Sequence, residues 1–357
     1  MSIEKDKKLK KSNKRRYLRG RLLLWVVAAG IVLSAFSLFL LEQRRFARDY
    51  SEYVLAEKDG GQNYIKWVEF NVPLAVLEQA LQYDIASHKE DVELPWINLL
   101  AYTAAKKGGV FQEGKKSPEM DGLVERLQAG ESWEEITRDM RYYDYYLEAY
   151  EAILAGFVGE YQTKDEAGNM TTAYGLKAYS PIAKGYGFGH YEDFGAARTY
   201  GYKRLHLGND LMGAIGTPII AVEGGVVEAL GWNEYGGWRV GIRSHDGLRY
   251  WYYAHLRKDH PYTPQMQEGA QVEAGDVIGY MGMTGYSKTE NVNNINVPHL
   301  HFGLQLIFDE SQKEGENQIW LDVYDIVELL QKRRMPVEKQ GEDMVRQDGI
   351  AQGGDGA

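Results

Sequence analysis

The chain has 357 residues, 44% hydrophobic and 12% aromatic, enough to bury more than one core. It has no Cys, which excludes a disulfide framework and any thiolate metal site, so a bound metal must use His and carboxylates. Residues 1–48 carry 13 Lys/Arg against 3 Asp/Glu, a net of +10, so the overall −10 leaves −20 on residues 49–357, and a body this acidic, with no basic stripe, excludes a nucleic-acid binder.

Residues 1–21 form a basic tail with ten Lys/Arg between Lys5 and Arg21. Leu22 to Leu41 follows as 20 uncharged residues, long enough at about 1.5 Å each to span the roughly 30 Å core of a bilayer. This predicts one membrane helix with the N-terminus cytoplasmic, because the positive charge lies ahead of it. A cleaved signal peptide fits less well, since Ala35-Phe36-Ser37 is followed by more apolar residues. Either way, the chain after residue 42 is expected outside the cytoplasm, and with the helix retained the protein is expected to be a single-pass cell-membrane protein.

The spacing over 42–161 is helical. Asn71 and Pro73 open a helix toward Ala86, Pro95 opens another that ends at Gly108-Gly109, and Ser132-Trp-Glu-Glu135 reads as a capping box starting a Tyr-rich helix. There, Tyr142, Tyr143, Tyr145, Tyr146 and Tyr150 at helical spacing read as core ahead of a glycan-stacking surface. Glu78 and Glu93 read as solvated, and the region as support or partner binding. Over 162–333 the pattern becomes short alternating runs broken by Gly: Thr217–Val222, Gly225–Leu230, Trp238–Arg243 and Arg249–Ala254 read as antiparallel strands, and Asp322–Lys332 as a closing helix. The Gly-, Asp- and Gln-rich residues 334–357 are expected to be disordered.

Of eight His, four lie in three tight contexts: His206-Leu-Gly-Asn-Asp210, Tyr253-Ala-His255-Leu and Pro298-His299-Leu-His301. On strands, side chains two or four apart share a face, so His206 pairs with Asp210 and His299 with His301. Zinc hydrolases commonly offer three His or carboxylate ligands and an open fourth position, a set that His206, Asp210 and His301 supply. His255 and His299 then stand as general base or oxyanion stabiliser. His88, His190, His245 and His260 have no such context and read as structural or solvated.

On these motifs the sequence resembles the lysostaphin/LytM-type zinc peptidoglycan endopeptidases, over roughly Asp193 to Gln305. The matching residues are Phe194-Gly195 and Arg198, His206-x-x-x-Asp210, Gly216-Thr-Pro-Ile-Ile-Ala221, Gly225-Val-Val, Tyr253-Ala-His-Leu256, Val272-Glu-Ala-Gly-Asp-Val-Ile-Gly279, Gly282-Met-Thr-Gly285 and Pro298-His-Leu-His-Phe302. The resemblance implies a compact antiparallel β domain with a zinc groove, one Zn2+ per chain on His206, Asp210 and His301, catalytic His255 and His299, and groove candidates Arg198, Asn209, Tyr253 and Thr284. The helical segment resembles the one preceding this domain in clostridial-type anchored members.

The fold class expected is therefore α+β: an N-terminal transmembrane helix, a helical segment, then the β domain. The expected function is zinc-dependent hydrolysis of peptide cross-links or stem peptides of peptidoglycan. The alternative is a catalytically silent scaffold or regulatory protein of a division or sporulation complex, with a protein partner. A biotinyl or lipoyl carrier, suggested by Val272–Gly279, lacks its hairpin Lys at Met281-Gly-Met283. Gly208 and Gly303 read as permitting tight strands. Tyr286 to Val297 lengthens a link that is usually short in the resembled family, and is either a polar excursion or a wall that narrows the groove.

Overall fold

The computed structural model describes residues 64–347 apart from 166, 201 and 316. The basic tail and Leu22–Leu41 lie outside the described residues, and among those described no helix is long and apolar enough to cross a membrane.

Proline and glycine set the helix limits. Pro73 and Pro95 sit extended just ahead of α1 (Leu74–Ser87) and α2 (Trp96–Lys107), where a missing N–H costs no intrahelical bond. Helix α2 stops at Gly108, left-handed at φ 61°, and α3 (Pro118–Gln128) starts with Pro at its first position. The Ser132/Glu135 capping box forms, but it starts only α4 (Trp133–Thr137). The Thr137 hydroxyl donates back to the Trp133 carbonyl and the Met140 N–H to the Thr137 carbonyl, closing the chain into a turn. The Tyr-rich helix α5 (Tyr143–Leu154) therefore starts afresh, and buries Tyr143, Tyr146 and Tyr150 as core.

Strands begin at Val158, four residues ahead of the boundary the sequence suggested. A hairpin of β1 (Val158–Lys164) and β2 (Met170–Leu176) leads into the domain, followed by β3 (Gly189–His190) and the hairpin β4 (Ala197–Tyr200) and β5 (Tyr202–Leu205). Then come β6 (Asn209–Met212), β7 (Pro218–Ile220), β8 (Gly225–Asn233), β9 (Gly237–Ser244), β10 (Arg249–Ala254), β11 (Gln271–Val272), β12 (Val277–Tyr280), β13 (His299–Leu306) and β14 (Ile319–Leu321). The main antiparallel sheet runs β11-β8-β9-β10-β13-β6-β3, with β14 against the far half of β13, while β7 pairs with β12. Helix α6 (Tyr324–Leu330) closes the domain, inside the span expected for it.

Strand β13 fixes the site. Its Leu300, Phe302, Leu304 and Leu306 are fully buried. The Phe302 ring stacks on Trp251 at 5.4 Å, and Trp251 stacks on Phe157, at the end of the helical segment, at 6.1 Å. The period of two turns His299 and His301 to the opposite face. Register then places His301 beside Asp210 of β6 and Ala254 of β10.

The disorder expected from residue 334 does not hold through 347. Strands β15 (Val337–Gln340) and β16 (Asp343–Arg346) form a hairpin, and Met335 is buried with Ala183, Ile220 and Val277, with Met344 packed against them. Asp343 accepts from the Tyr280 hydroxyl at 2.9 Å, and Arg346 donates to Asp276 at 3.1 Å. These few apolar residues could not order a free tail, but they dock on a surface the domain has already built, so little further entropy opposes them. Residues 348–357 lie outside the described part.

Candidate metal centre and cleft

His206 arrives at the end of the β4–β5 hairpin, Asp210 from β6 and His301 from β13. His206 Nε2 lies 2.7 Å from His301 Nδ1 and 3.1 Å from Asp210 Oδ1, and His301 Nδ1 lies 3.4 Å from Asp210 Oδ1. Two imidazoles and a carboxylate remote in the chain thus aim three donor atoms at one point, and among the described residues no other such group of three is found. A tetrahedral ion about 2.0–2.1 Å from each donor needs edges of roughly 3.3 Å, so a zinc-sized ion fits with only small adjustment.

Glycine makes room for this packing. A Cβ at Gly208 would stand 2.6 Å from the Phe302 carbonyl oxygen and 2.8 Å from His301 Cε1, and one at Gly303 would stand 2.9 Å from the Trp320 ring. Both glycines therefore serve close packing, as expected.

Asp193, not singled out from the sequence, organises the set. Its carbonyl accepts from His206 Nδ1 at 3.1 Å, Oδ1 accepts from the Asp210 N–H at 3.2 Å, and Oδ2 accepts from Arg198 at 2.5 Å. A hydrogen bond on the far nitrogen of a ligand imidazole fixes its tautomer and orientation. Burial opposes charge on His206, but the hydrogen bonds and charges of Asp193 and Asp210 outweigh it and push its pKa up to about 9. Burial also works against ionised Asp210, yet hydrogen bonds from His206 and His301 hold it well below the usual carboxylate range.

His255 and His299 stand beside these donors. Their ring centroids are 4.8 Å apart, and that of His255 is 5.9 Å from that of His301. His255 Nδ1 is bonded to the Thr284 carbonyl at 2.9 Å and His299 Nδ1 to the Val297 carbonyl at 2.8 Å. Carbonyls only accept, so both rings carry the proton on Nδ1 and leave Nε2 for other work. Burial holds His255 well below its usual pKa. His255 also has a left-handed backbone (φ 63°), a conformation that costs energy and concentrates at functional sites.

A cleft of about 500 Å³ opens over His206, His255 and His301, walled by Tyr235, Tyr252, Tyr286 and Trp320. None of the four groove candidates lines this cleft. Asn209 is buried, its side-chain Oδ1 accepting from the Val323 N–H. The buried Tyr253 hydroxyl accepts from the Val222 N–H, and buried Thr284 bridges the Leu256 carbonyl and the Trp238 N–H. Arg198 is half-buried, but its guanidinium is spent on Asp193 and Asp210. The wall that replaces them follows from strand alternation: Tyr253 points to the core, so Tyr252 points to the cleft. The loop from Tyr286 to Val297 contributes Tyr286 to that wall, and is tied down where Asn291 accepts from the Trp238 indole and the Asp259 N–H, both at 2.9 Å. His190 pairs with Glu328 and His260 with Asp343, both outside the site.

Peptidase family M23 matches residues 204–314. Over 111 residues the chain is 40% identical to the L-Ala--D-Glu endopeptidase of Bacillus subtilis, covering 31% of this chain and 32% of that protein. It is 36% identical over 121 residues to lysostaphin of Staphylococcus staphylolyticus, covering 33% of this chain and 21% of that protein. The chain thus spans about a third or less of these curated relatives. The crystal structure of a LytM protein from Ruminococcus gnavus, 26% identical, covers 74% of this chain and 90% of that one with a TM-score of 0.47. Residues 204–314, which contain His206, Asp210, His255, His299 and His301, thus match peptidase family M23 in sequence.

Proposed function

We propose that this chain is a zinc-dependent endopeptidase that hydrolyses peptide bonds of bacterial peptidoglycan. The observation that carries this reading is the convergence of His206, Asp210 and His301 on one point at the floor of an open cleft, with two further imidazoles beside it. The endopeptidase names of the relatives support it.

His206, Asp210 and His301 would hold the ion. When bound, zinc supplies Lewis acidity that polarises the scissile carbonyl and brings the pKa of water toward about 7. The chain's own residues do the rest. His255, neutral and with its Nδ1 proton committed to Thr284, offers Nε2 as the base that takes a proton from the attacking water. The proton His255 has taken passes on to the leaving amine, while His299, whose Nε2 lies 3.6 Å from Asp210 Oδ1, stabilises negative charge growing on the carbonyl oxygen through an Nε2–H. Asp193 keeps His206 in the ligand tautomer. All five groups share one site, which speaks for an enzyme over a silent scaffold.

The sequence supports placing this domain outside the cytoplasmic membrane, anchored by Leu22–Leu41 with the N-terminus inside. A division or sporulation protein binding the helical segment belongs to the same reading.

Zinc content and muropeptide release from purified peptidoglycan test the function. One zinc per chain and new fragments are expected, while His299→Ala should keep its zinc and lose about 10²–10⁴-fold in rate. An unchanged muropeptide profile with zinc-loaded protein would end the reading.

A further inference from the structure

We propose that the cleft recognises a free carboxylate on the peptide, on a residue adjoining the bond that is cut, and that Arg204 and Arg239 are the groups that bind it. This deepens the function proposed above and rests on it.

Both arginines line the same cleft as His206, His255 and His301. The Arg204 guanidinium lies over two rings at once, 4.9 Å from the Tyr235 centroid and 5.0 Å from that of Tyr286, which fixes its plane. Stacking satisfies its faces but not its N–H groups: Arg204 Nη1 is buried with no hydrogen-bond acceptor among the described residues, and Arg239 Nε is in the same state. A buried donor without an acceptor is costly, so two of them in one cleft mark a place built for an acceptor from outside. Both charges also reach Tyr252, whose phenol burial pushes up in pKa and the two arginines pull back. The third cation in the lining, Lys313, is already neutralised by Glu228. Glu314, the lining's one carboxylate, is exposed. A guanidinium presents a planar fork that suits a carboxylate, whereas a neutral Gly or carboxamide supplies no charge to meet it.

The distance to the chemistry fits. The Arg204 guanidinium is 5.0 Å from the Tyr286 ring, and that ring is 5.7 Å from His255, so arginine and imidazole are at most about 11 Å apart. Hydrogen bonds of about 3 Å at either end leave about 5 Å, which one or two peptide residues cover at up to about 3.6 Å each.

The experiment uses two peptides identical except that the residue adjoining the scissile bond bears a carboxylate or a carboxamide. With the zinc-loaded chain, kcat/KM should favour the carboxylate roughly tenfold to a hundredfold, the scale of one or two charge-assisted hydrogen bonds. Arg204→Gln and Arg239→Gln should each shrink that preference, lowering turnover of the acidic peptide while leaving the amidated one within about twofold. Equal turnover of both peptides by the unsubstituted chain, or variants that slow both alike, would overturn the proposal. Calorimetric binding of the same pair to a zinc-loaded His299→Ala chain reads the cleft without turnover. Tighter binding of the acid there, together with no cleavage of either peptide by the unsubstituted zinc-loaded chain, would keep the carboxylate site and reject the hydrolase; equal binding would reject the site whatever the activity.

Discussion

The three donor residues were legible in the sequence for a reason specific to strands. His206-x-x-x-Asp210 and His299-x-His301 survive translation into three dimensions because a period of two keeps each pair on one face, and antiparallel register then brings β6 against β13. The groove failed at the same scale. Tyr253 and Tyr252 differ by one position, hence by a whole face, and nothing in Tyr-Tyr-Ala-His says which ring meets the core. Asn209 and Thr284 lie in the matching motifs because they hold loops and strand ends together, a role that composition cannot separate from substrate contact. Asp193 was hidden because it acts through its backbone carbonyl on a residue 13 positions on and through its carboxylate on Arg198 and on a backbone N–H 17 positions on, a pattern no short motif contains. Its importance is testable. Asp193→Asn should keep the fold but remove the charge that anchors Arg198 and raises the His206 pKa, weakening zinc binding by about 10–100-fold. Competition against a chromogenic chelator measures this, and an unchanged affinity would show that the Asp193 carboxylate charge contributes nothing to the site.

At the scale of elements, prolines, a left-handed Gly and a capping box gave the helices, because each acts locally. The β15–β16 hairpin was missed because it is ordered by what it lands on, namely the Met335 pocket and the Asp343 bonds, and a single sequence does not display that surface. The contact between α1 and α6 is of this non-local kind. Asp325 of α6 accepts from the Leu74 N–H that opens α1, at 2.9 Å across 251 positions. Burial, followed by the nearby charges of Glu113, Asp322 and Glu192, pushes its pKa up to about 6 from 3.8. The folded state therefore binds more protons than the unfolded one between about pH 4 and 6, so this group costs stability as pH rises through that window. Asp325→Asn keeps an acceptor for Leu74 without the charge. It should raise stability by about 1 kcal/mol above pH 6, an amount already discounted for a half-exposed group, and by nearly nothing below pH 4. Melting temperatures across that range decide it, and an equal gain at both ends would rule out the ionised carboxylate as the cause.

At the scale of the whole molecule, the described chain from Trp67 onward forms one compact unit, which makes the helical segment part of the framework behind the candidate site. The joint is polar as well as aromatic. Arg249 of β10 is buried and donates to the Ala152 carbonyl in α5 at 2.9 Å, to Glu223 at 2.6 and 3.3 Å and to Asp246 at 2.7 Å, while the Trp251 indole donates to Glu223 at 2.5 Å. Trp251 also stands in the aromatic stack that supports Phe302, one residue from His301, so loosening the joint should be felt at the metal centre. Buried ion pairs gain little over an apolar replacement but are costly to break on one side. Arg249→Met alone should therefore destabilise by about 3–5 kcal/mol, because it strands the Glu223 carboxylate and the Ala152 carbonyl. Adding Glu223→Gln to that variant should recover part of the loss, since the stranded charge is gone and Gln can still accept from Trp251. The two single changes and the double thus form a non-additive cycle in denaturant unfolding. Additive losses would mean that Arg249 and Glu223 stabilise their own surroundings independently.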